Sequence, residues 1–187
     1  MNAALWYLSR GSGAVSLILL STATVLGITE QRRWQSRRWP RFAVHQLHRW
    51  VGLFAVSFLS IHILSVVLDG FVQIRLVDAV IPFGGSYRPF WLGLGALSFD
   101  LLLAVAITSL LRRHIGQRNW RAVHWLAYAA WPIAVLHGLG TGSDAGAAWM
   151  LAITGLCIAA VSTAVFIRTS EPRVRSMGRR PLSAARD

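Results

Sequence analysis

HRWVGLFAVSFLSIH, residues 48–62, begins and ends on histidine and holds thirteen residues between, nearly all apolar. A second stretch, HWLAYAAWPIAVLH at 124–137, repeats the arrangement. Runs of this kind are built for lipid, where a polar side chain is costly and is kept for a task. What an imidazole does at each end of two such runs depends on the kind of protein that carries them.

The chain has 187 residues, 55% hydrophobic and 14% charged. A water-soluble domain carries about 25% charged residues. The apolar residues fall in five blocks, roughly 11–29, 46–68, 90–111, 120–138 and 146–167, each near the ~20 residues that a helix needs to cross a bilayer. The expected fold is all-α, a polytopic membrane bundle of about five transmembrane helices spanning residues 1–167. Residues 168–187 are expected to be a basic cytoplasmic tail without fixed structure.

The net charge of +12 is carried by arginine, with no lysine in the chain. The arginines cluster at 31–41 (QRRWQSRRWPR), at 112–121 (RRHIGQRNWR) and from Arg168 to Arg186. The segments 69–89 and 139–145 hold only Arg75 and Arg88. This alternation follows the positive-inside rule. It predicts a multi-pass protein of the cell membrane, N-terminus outside, both Arg-rich loops and the tail in the cytoplasm. The charge therefore reports orientation and contact with anionic lipid, and no nucleic acid partner is expected.

Smaller signals agree. The first apolar block lacks a basic leader and a small-residue cleavage site, so it is expected to be a span rather than a signal peptide. Gly11, Ser12, Gly13 and Ser16 suit close helix packing. Trp34, Trp39, Trp50, Trp91 and Trp120 flank the spans as an aromatic belt. Cys157 is alone, and no CxxCH is present, which excludes the usual covalent c-type haem attachment. The glycines of GLGTGSDAG follow no strand and are not expected to bind a nucleotide. Residues 69–89 mix apolar and charged side chains and are expected to lie along the membrane surface, with a turn at Gly84–Gly85.

His48 and His62 are fourteen residues apart, about 40° short of four helical turns and about 21 Å of rise. They share one face at opposite leaflets. The two histidine-bearing spans are separated by one span and run parallel, so His124 lies on the side of His48 and His137 on the side of His62. The outer ends match in register: His62 is seven residues before Asp69, and His137 seven before Asp144. Two facing pairs of neutral imidazoles are the axial ligand set of six-coordinate b-type haem, and a haem bridging two helices buries a large apolar disc.

Gly52, one turn from His48 on its face, would make room for a macrocycle. Arg49 and Arg121 would serve the propionates of an inner haem; Tyr87, Arg88, Thr141 and Ser143 would serve those of an outer one. His124 and His137, thirteen apart, fall about 140° short of four turns, so span four must bend or overwind. Pro132, or a tightened 3₁₀ stretch, is expected to supply the correction. His45 is the rival to His48 but lies about 100° off the face of His62. His114, in an Arg-rich stretch, is expected to be solvated. Asp100, mid-span, is equally an interior hydrogen-bonded carboxyl, a proton relay or a group that orients a haem.

The paired histidines, fourteen and then thirteen apart on spans separated by one other, resemble the ferric reductase-like transmembrane domain. That family includes the membrane part of NADPH oxidases and metalloreductases and the haem subunit of a bacterial methionine sulfoxide reductase system. The resemblance covers roughly residues 11–167. It implies two stacked b haems passing electrons from the cytoplasmic to the outer face, with His48 and His124 holding the inner iron and His62 and His137 the outer. The tail after 167 is too short and too basic for the flavin and nicotinamide domain of the larger oxidases.

The resemblance thus implies a dihaem b-type cytochrome that takes electrons from a separate donor, a flavoprotein carrying FMN or FAD or a quinone. Its acceptor would be a ferric chelate or a partner redox protein on the outer face. No acid–base or nucleophilic residue set is apparent. One alternative is a haem subunit dedicated to a partner reductase, such as the methionine sulfoxide system. Others, of different class, are a haem-free transporter or proton pathway using the histidines and Asp100, and a non-redox membrane scaffold.

Overall fold

The computed structural model of the chain describes residues 3–31, 41–70, 72, 74–141 and 144–170. The Arg-rich stretch with Trp34 and Trp39, Ser143 and the tail beyond 170 lie outside the described residues. Six helices run in chain order: α1 (Ala3–Gln31), α2 (Arg41–Asp69), α3 (Pro89–Leu110), α4 (Arg112–His124), α5 (Leu126–Thr141) and α6 (Ala148–Ser170). A 3₁₀ turn at Leu76–Ala79 lies between α2 and α3, and no strand occurs among the described residues.

Helices α1, α2, α3 and α6 are each long and apolar enough to cross a membrane, and α4 with α5, bent by 41°, makes a fifth when the pair is taken as one span. The 29 residues of α2 reach about 43 Å, more than the ~30 Å hydrocarbon core. This is a multi-pass membrane protein, and its large apolar side chains point outward, as Leu53, Phe54, Leu64, Leu156 and Phe166 do. In lipid an apolar exterior is the stable one, and the interior is left to small and polar groups.

Helix α1 is the centre of the bundle. It packs most extensively along α2 and also meets α5 and α6, while α3 packs on α5. Its buried residues are small: Ser12, Ala14, Ser16, Ser21 and Ala23, with Ile28 the one large side chain. The buried hydroxyls are satisfied within the helix, Ser16 donating to the Ser12 carbonyl at 2.7 Å and Ser21 to that of Leu17 at 2.7 Å. Ser21 also accepts from Trp131 Nε1 at 2.9 Å, tying α5 to α1. Ser98 of α3 donates to the carbonyl of Ala130 in α5 at 3.0 Å. These bonds replace the hydrophobic drive that lipid cannot supply between helices.

The fifth span is bent as the histidine spacing requires, but the break falls at Trp125 rather than at Pro132, which lies inside α5. The tightening is 3₁₀ in kind: the N–H of Tyr128 donates to the carbonyl of Trp125, three residues back, at 3.1 Å. The carbonyl that Pro132 crowds is that of Tyr128, three residues past the break. The Arg-rich stretch at 112–121 is also helical, broken at Gly116, whose φ of 78° a glycine adopts readily.

The connection from α2 to α3 folds over the end of the bundle. The carboxylate of Asp78, buried, accepts from the backbone N–H of Arg75 at 2.9 Å and from its guanidinium at 3.3 Å. These two hydrogen bonds hold the carboxyl below its ordinary value. Phe83, in the left-handed region at φ 65°, sets its ring against Gly93 of α3; a Cβ there would meet Phe83 at 2.2 Å. On the same side, Arg10 of α1 pairs with Asp144 before α6.

Candidate functional site

Helices α2 and α5 carry the four histidines, yet their backbones scarcely touch. Helix α1 packs along α2, and α3 packs on α5. The imidazoles cross the slot between them in two groups. His48 and His124 have ring centres 6.1 Å apart, with planes at 72°. His62 and His137 line one cavity of about 60 Å³, with Gly95 and Leu92 of α3 beside them and Ile74 and Asp78 closing it from the 3₁₀ side. His48 thus lies near His124, and His62 near His137.

Three of the rings are tethered in the same way. His62 Nδ1 lies 2.7 Å from the carbonyl oxygen of Ser9, His48 Nδ1 3.0 Å from that of Ala23, and His137 Nδ1 2.8 Å from that of Trp91. A carbonyl only accepts, so in each case Nδ1 carries the hydrogen and Nε2 keeps its lone pair. The Thr141 hydroxyl oxygen lies 3.2 Å from the same nitrogen of His137.

One turn beyond each carbonyl stands a glycine: Gly13, Gly27 and Gly95. A Cβ at Gly95 would lie 2.6 Å from the His137 ring, at Gly13 2.9 Å from His62, and at Gly27 3.4 Å from His48. The glycines let the rings reach a carbonyl that already accepts the helix's own hydrogen bond. None of these six positions is recognisable as functional by residue type. One signal was available: Ser9 and Ala23, and Gly13 and Gly27, are fourteen apart, the interval of His48 and His62 on the antiparallel partner.

His124 differs. Its Nδ1 is buried and has no hydrogen-bond partner among the described residues. Its ring stacks on Trp120, centres 4.9 Å apart and planes at 30°.

The other expected residues are placed as follows. A Cβ at Gly52 would meet nothing within 4 Å, so the face of α2 beside His48 is open. Arg49 is exposed. Arg121 lines an open groove of about 440 Å³ with Gln117, Arg118, Ala122 and Trp125. Arg88 donates to the carbonyl of Gly140 at 2.9 Å. His45 is exposed and bonded to Glu30 at 2.7 Å, away from the other imidazoles, and His114 is exposed. Asp100 is half-buried on α3, and no hydrogen bond among the described residues joins it to a histidine. No group of three or more His, Cys, Asp or Glu side chains placed to hold a metal ion occurs among the described residues.

Comparison with known proteins adds the following. The family model described as "Ferric reductase like transmembrane component" matches residues 12–135. A protein-methionine-sulfoxide reductase heme-binding subunit MsrQ of Ralstonia nicotianae is 28% identical over 133 residues, 70% of this chain and 57% of the relative. Its counterpart in Herminiimonas arsenicoxydans is 29% identical over 136 residues, 70% of this chain and 56% of the relative. That of Rhodospirillum rubrum is 34% identical over 92 residues, 48% of this chain and 42% of the relative. The chain thus spans about half the length of the curated relatives it matches. No solved structure matches it.

Proposed function

The chain belongs to the ferric reductase-like transmembrane component family, and from that premise we propose that it is a haem-carrying membrane subunit that moves electrons across the bilayer. We assign two b-type haems, the first between His48 and His124 and the second between His62 and His137. The names of the curated relatives, heme-binding subunits of a protein-methionine-sulfoxide reductase, support the cofactor.

The observation that carries the reading is the separation of His48 and His124. An imidazole nitrogen binds a transition metal at about 2.0–2.1 Å and lies about 1.1 Å from its ring centre, so two rings across one iron have centres about 6.3 Å apart. The ring centres lie 6.1 Å apart. Both ring planes would contain the metal–nitrogen axis, so the 72° between them is free to vary. The tethers agree, since a metal-bound histidine almost always donates its other ring N–H to a carbonyl, carboxylate or water. The slot between α2 and α5, opened further at Gly52, is the space in which a flat group would lie.

When bound, haem supplies one-electron transfer between ferric and ferrous iron. The chain's own residues do the rest. The carbonyls of Ser9, Ala23 and Trp91 fix the tautomer and aim of three ligands, raise their basicity and so tune the potential. The apolar walls exclude water. Arg49 and Arg121 are assigned to anionic groups at the His48 end.

The arginine distribution supports a direction: the His48–His124 end faces the cytoplasm and the His62–His137 end the outside. The donor is then a cytoplasmic-side flavoprotein or quinone. The acceptor is an outer-face protein or ferric chelate, and the relatives' names favour a partner reductase over a free chelate.

The test is haem quantification with single His→Ala variants. His48→Ala and His124→Ala should remove the same spectral component, and His62→Ala and His137→Ala the other. Loss of one common component from all four variants would reject the two-site assignment.

A further inference from the structure

On the antiparallel pair α1 and α2, the carbonyl–glycine tether occurs twice, fourteen residues apart, once for each histidine. On α3 it occurs once, at Trp91 and Gly95 for His137. Thirteen residues on, the interval from His124 to His137, the positions are Ala104 and Thr108; fourteen on, they are Val105 and Ser109. Neither place has a glycine, and both carbonyls are covered. Thr108 donates to Ala104 at 2.7 Å, and Ser109 donates to Val105 at 2.6 Å. Ser109 accepts from Trp120 Nε1 at 3.2 Å, and Trp120 stacks on His124. α3 therefore reaches His124 through a hydroxyl and an indole face, where it holds His137 by a backbone hydrogen bond.

The surroundings differ in the same sense. The His62–His137 cavity is small and closed by the 3₁₀ side, with Phe83 locked on Gly93. Trp125 and Arg121, chain neighbours of His124, line an open groove of about 440 Å³ that His124 itself does not line.

Resting on the haem assignment above, we propose that His124 is the exchangeable ligand, so that the His48–His124 iron admits a small neutral ligand such as carbon monoxide while the His62–His137 iron stays closed. In the exchange the bond from iron to the imidazole nitrogen of His124 breaks, the nitrogen keeping its lone pair. The incoming ligand supplies its own pair, and no electron is transferred. The His124 Nδ1, with no hydrogen-bond partner among the described residues, gives up none when the ring swings away; His48, His62 and His137 would each leave a carbonyl bond behind.

The test uses the full chain in lipid nanodiscs, with haem counted first and then reduced with dithionite under carbon monoxide. The expected result is carbon monoxide binding to about half of the haem. The double variant His62→Ala/His137→Ala should keep a haem that binds carbon monoxide fully, and His48→Ala/His124→Ala one that binds none. Carbon monoxide on all of the native haem, on none of it, or on the His62–His137 iron overturns the inference while leaving the haem assignment in place. Absence of haem from the native chain overturns the assignment itself, and the inference with it. If the double variants do not fold, the fraction of native haem that reacts decides alone.

Discussion

A Cβ added to Gly95 would lie 2.6 Å from two atoms of the His137 ring. That distance is shorter than real side chains tolerate, so Gly95 is what allows His137 to sit against α3 and donate to Trp91.

The three tether glycines should therefore rank by clearance. Gly95→Ala (2.6 Å) should disturb its histidine most, Gly13→Ala (2.9 Å) less, and Gly27→Ala (3.4 Å) hardly at all. Overpacking of this kind costs about 1–3 kcal/mol when the neighbour cannot move. Low-temperature paramagnetic resonance of the ferric protein checks the order. The low-spin signal of the His62–His137 site should shift or broaden in the first two variants, and the Gly27 variant should match the parent. Equal effects at all three positions would contradict the packing argument.

The 3₁₀ segment should respond to acid. The hydrogen bonds from Arg75 depress the Asp78 pKa, so the folded carboxyl stays ionised to lower pH than an unfolded one. Its contribution is therefore complete above the ordinary carboxylate value near 4 and is lost as pH falls through the depressed folded value. Backbone hydrogen exchange over residues 74–88 should be slow at pH 6 and faster at acid pH after correction for the intrinsic rate. Arg75→Ala should speed it at pH 6 and add little once Asp78 is protonated. Protection in the variant equal to the parent at pH 6 would argue that the apolar contacts alone close the segment.

Among the polar contacts between α5 and α1 is one with two named ends, Trp131 and Ser21. Ser21→Ala leaves the Trp131 N–H without its acceptor and should destabilise by about 1 kcal/mol, in the range of interhelical hydrogen bonds in membranes. Trp131→Phe removes the donor, so the double variant should cost less than the sum of the two. A thermal unfolding cycle in detergent measures the coupling, and strict additivity would mean that the bond contributes nothing.

The spans and the family were legible in the sequence, because hydropathy and a fourteen-residue interval survive without coordinates. The tethers were not. Ser9, Ala23 and Trp91 act through backbone carbonyls, which every residue has, so residue type carries no signal. Gly13 was read as a packing residue, and only its distance from Gly27, set against that of His48 from His62, could have suggested more. The thirteen-residue interval predicts a bend in the fifth span, supplied by Pro132 or by a 3₁₀ stretch, and the 3₁₀ stretch is what the structure has. The break sits at Trp125, where the Tyr128 N–H bonds three residues back, a turn earlier than the carbonyl that Pro132 crowds. The first residues of α4, 112–119, carry no apolar run, so the sequence predicts a loop there where the structure has a helix broken at Gly116.

The most direct measurement is the reduced-minus-oxidised visible spectrum of the purified native chain, with haem counted per polypeptide. The account predicts b-type bands and about two haems per chain, both low-spin when oxidised. A colourless protein from cells well supplied with haem would contradict it, and the four imidazoles across the slot between α2 and α5 would need another purpose.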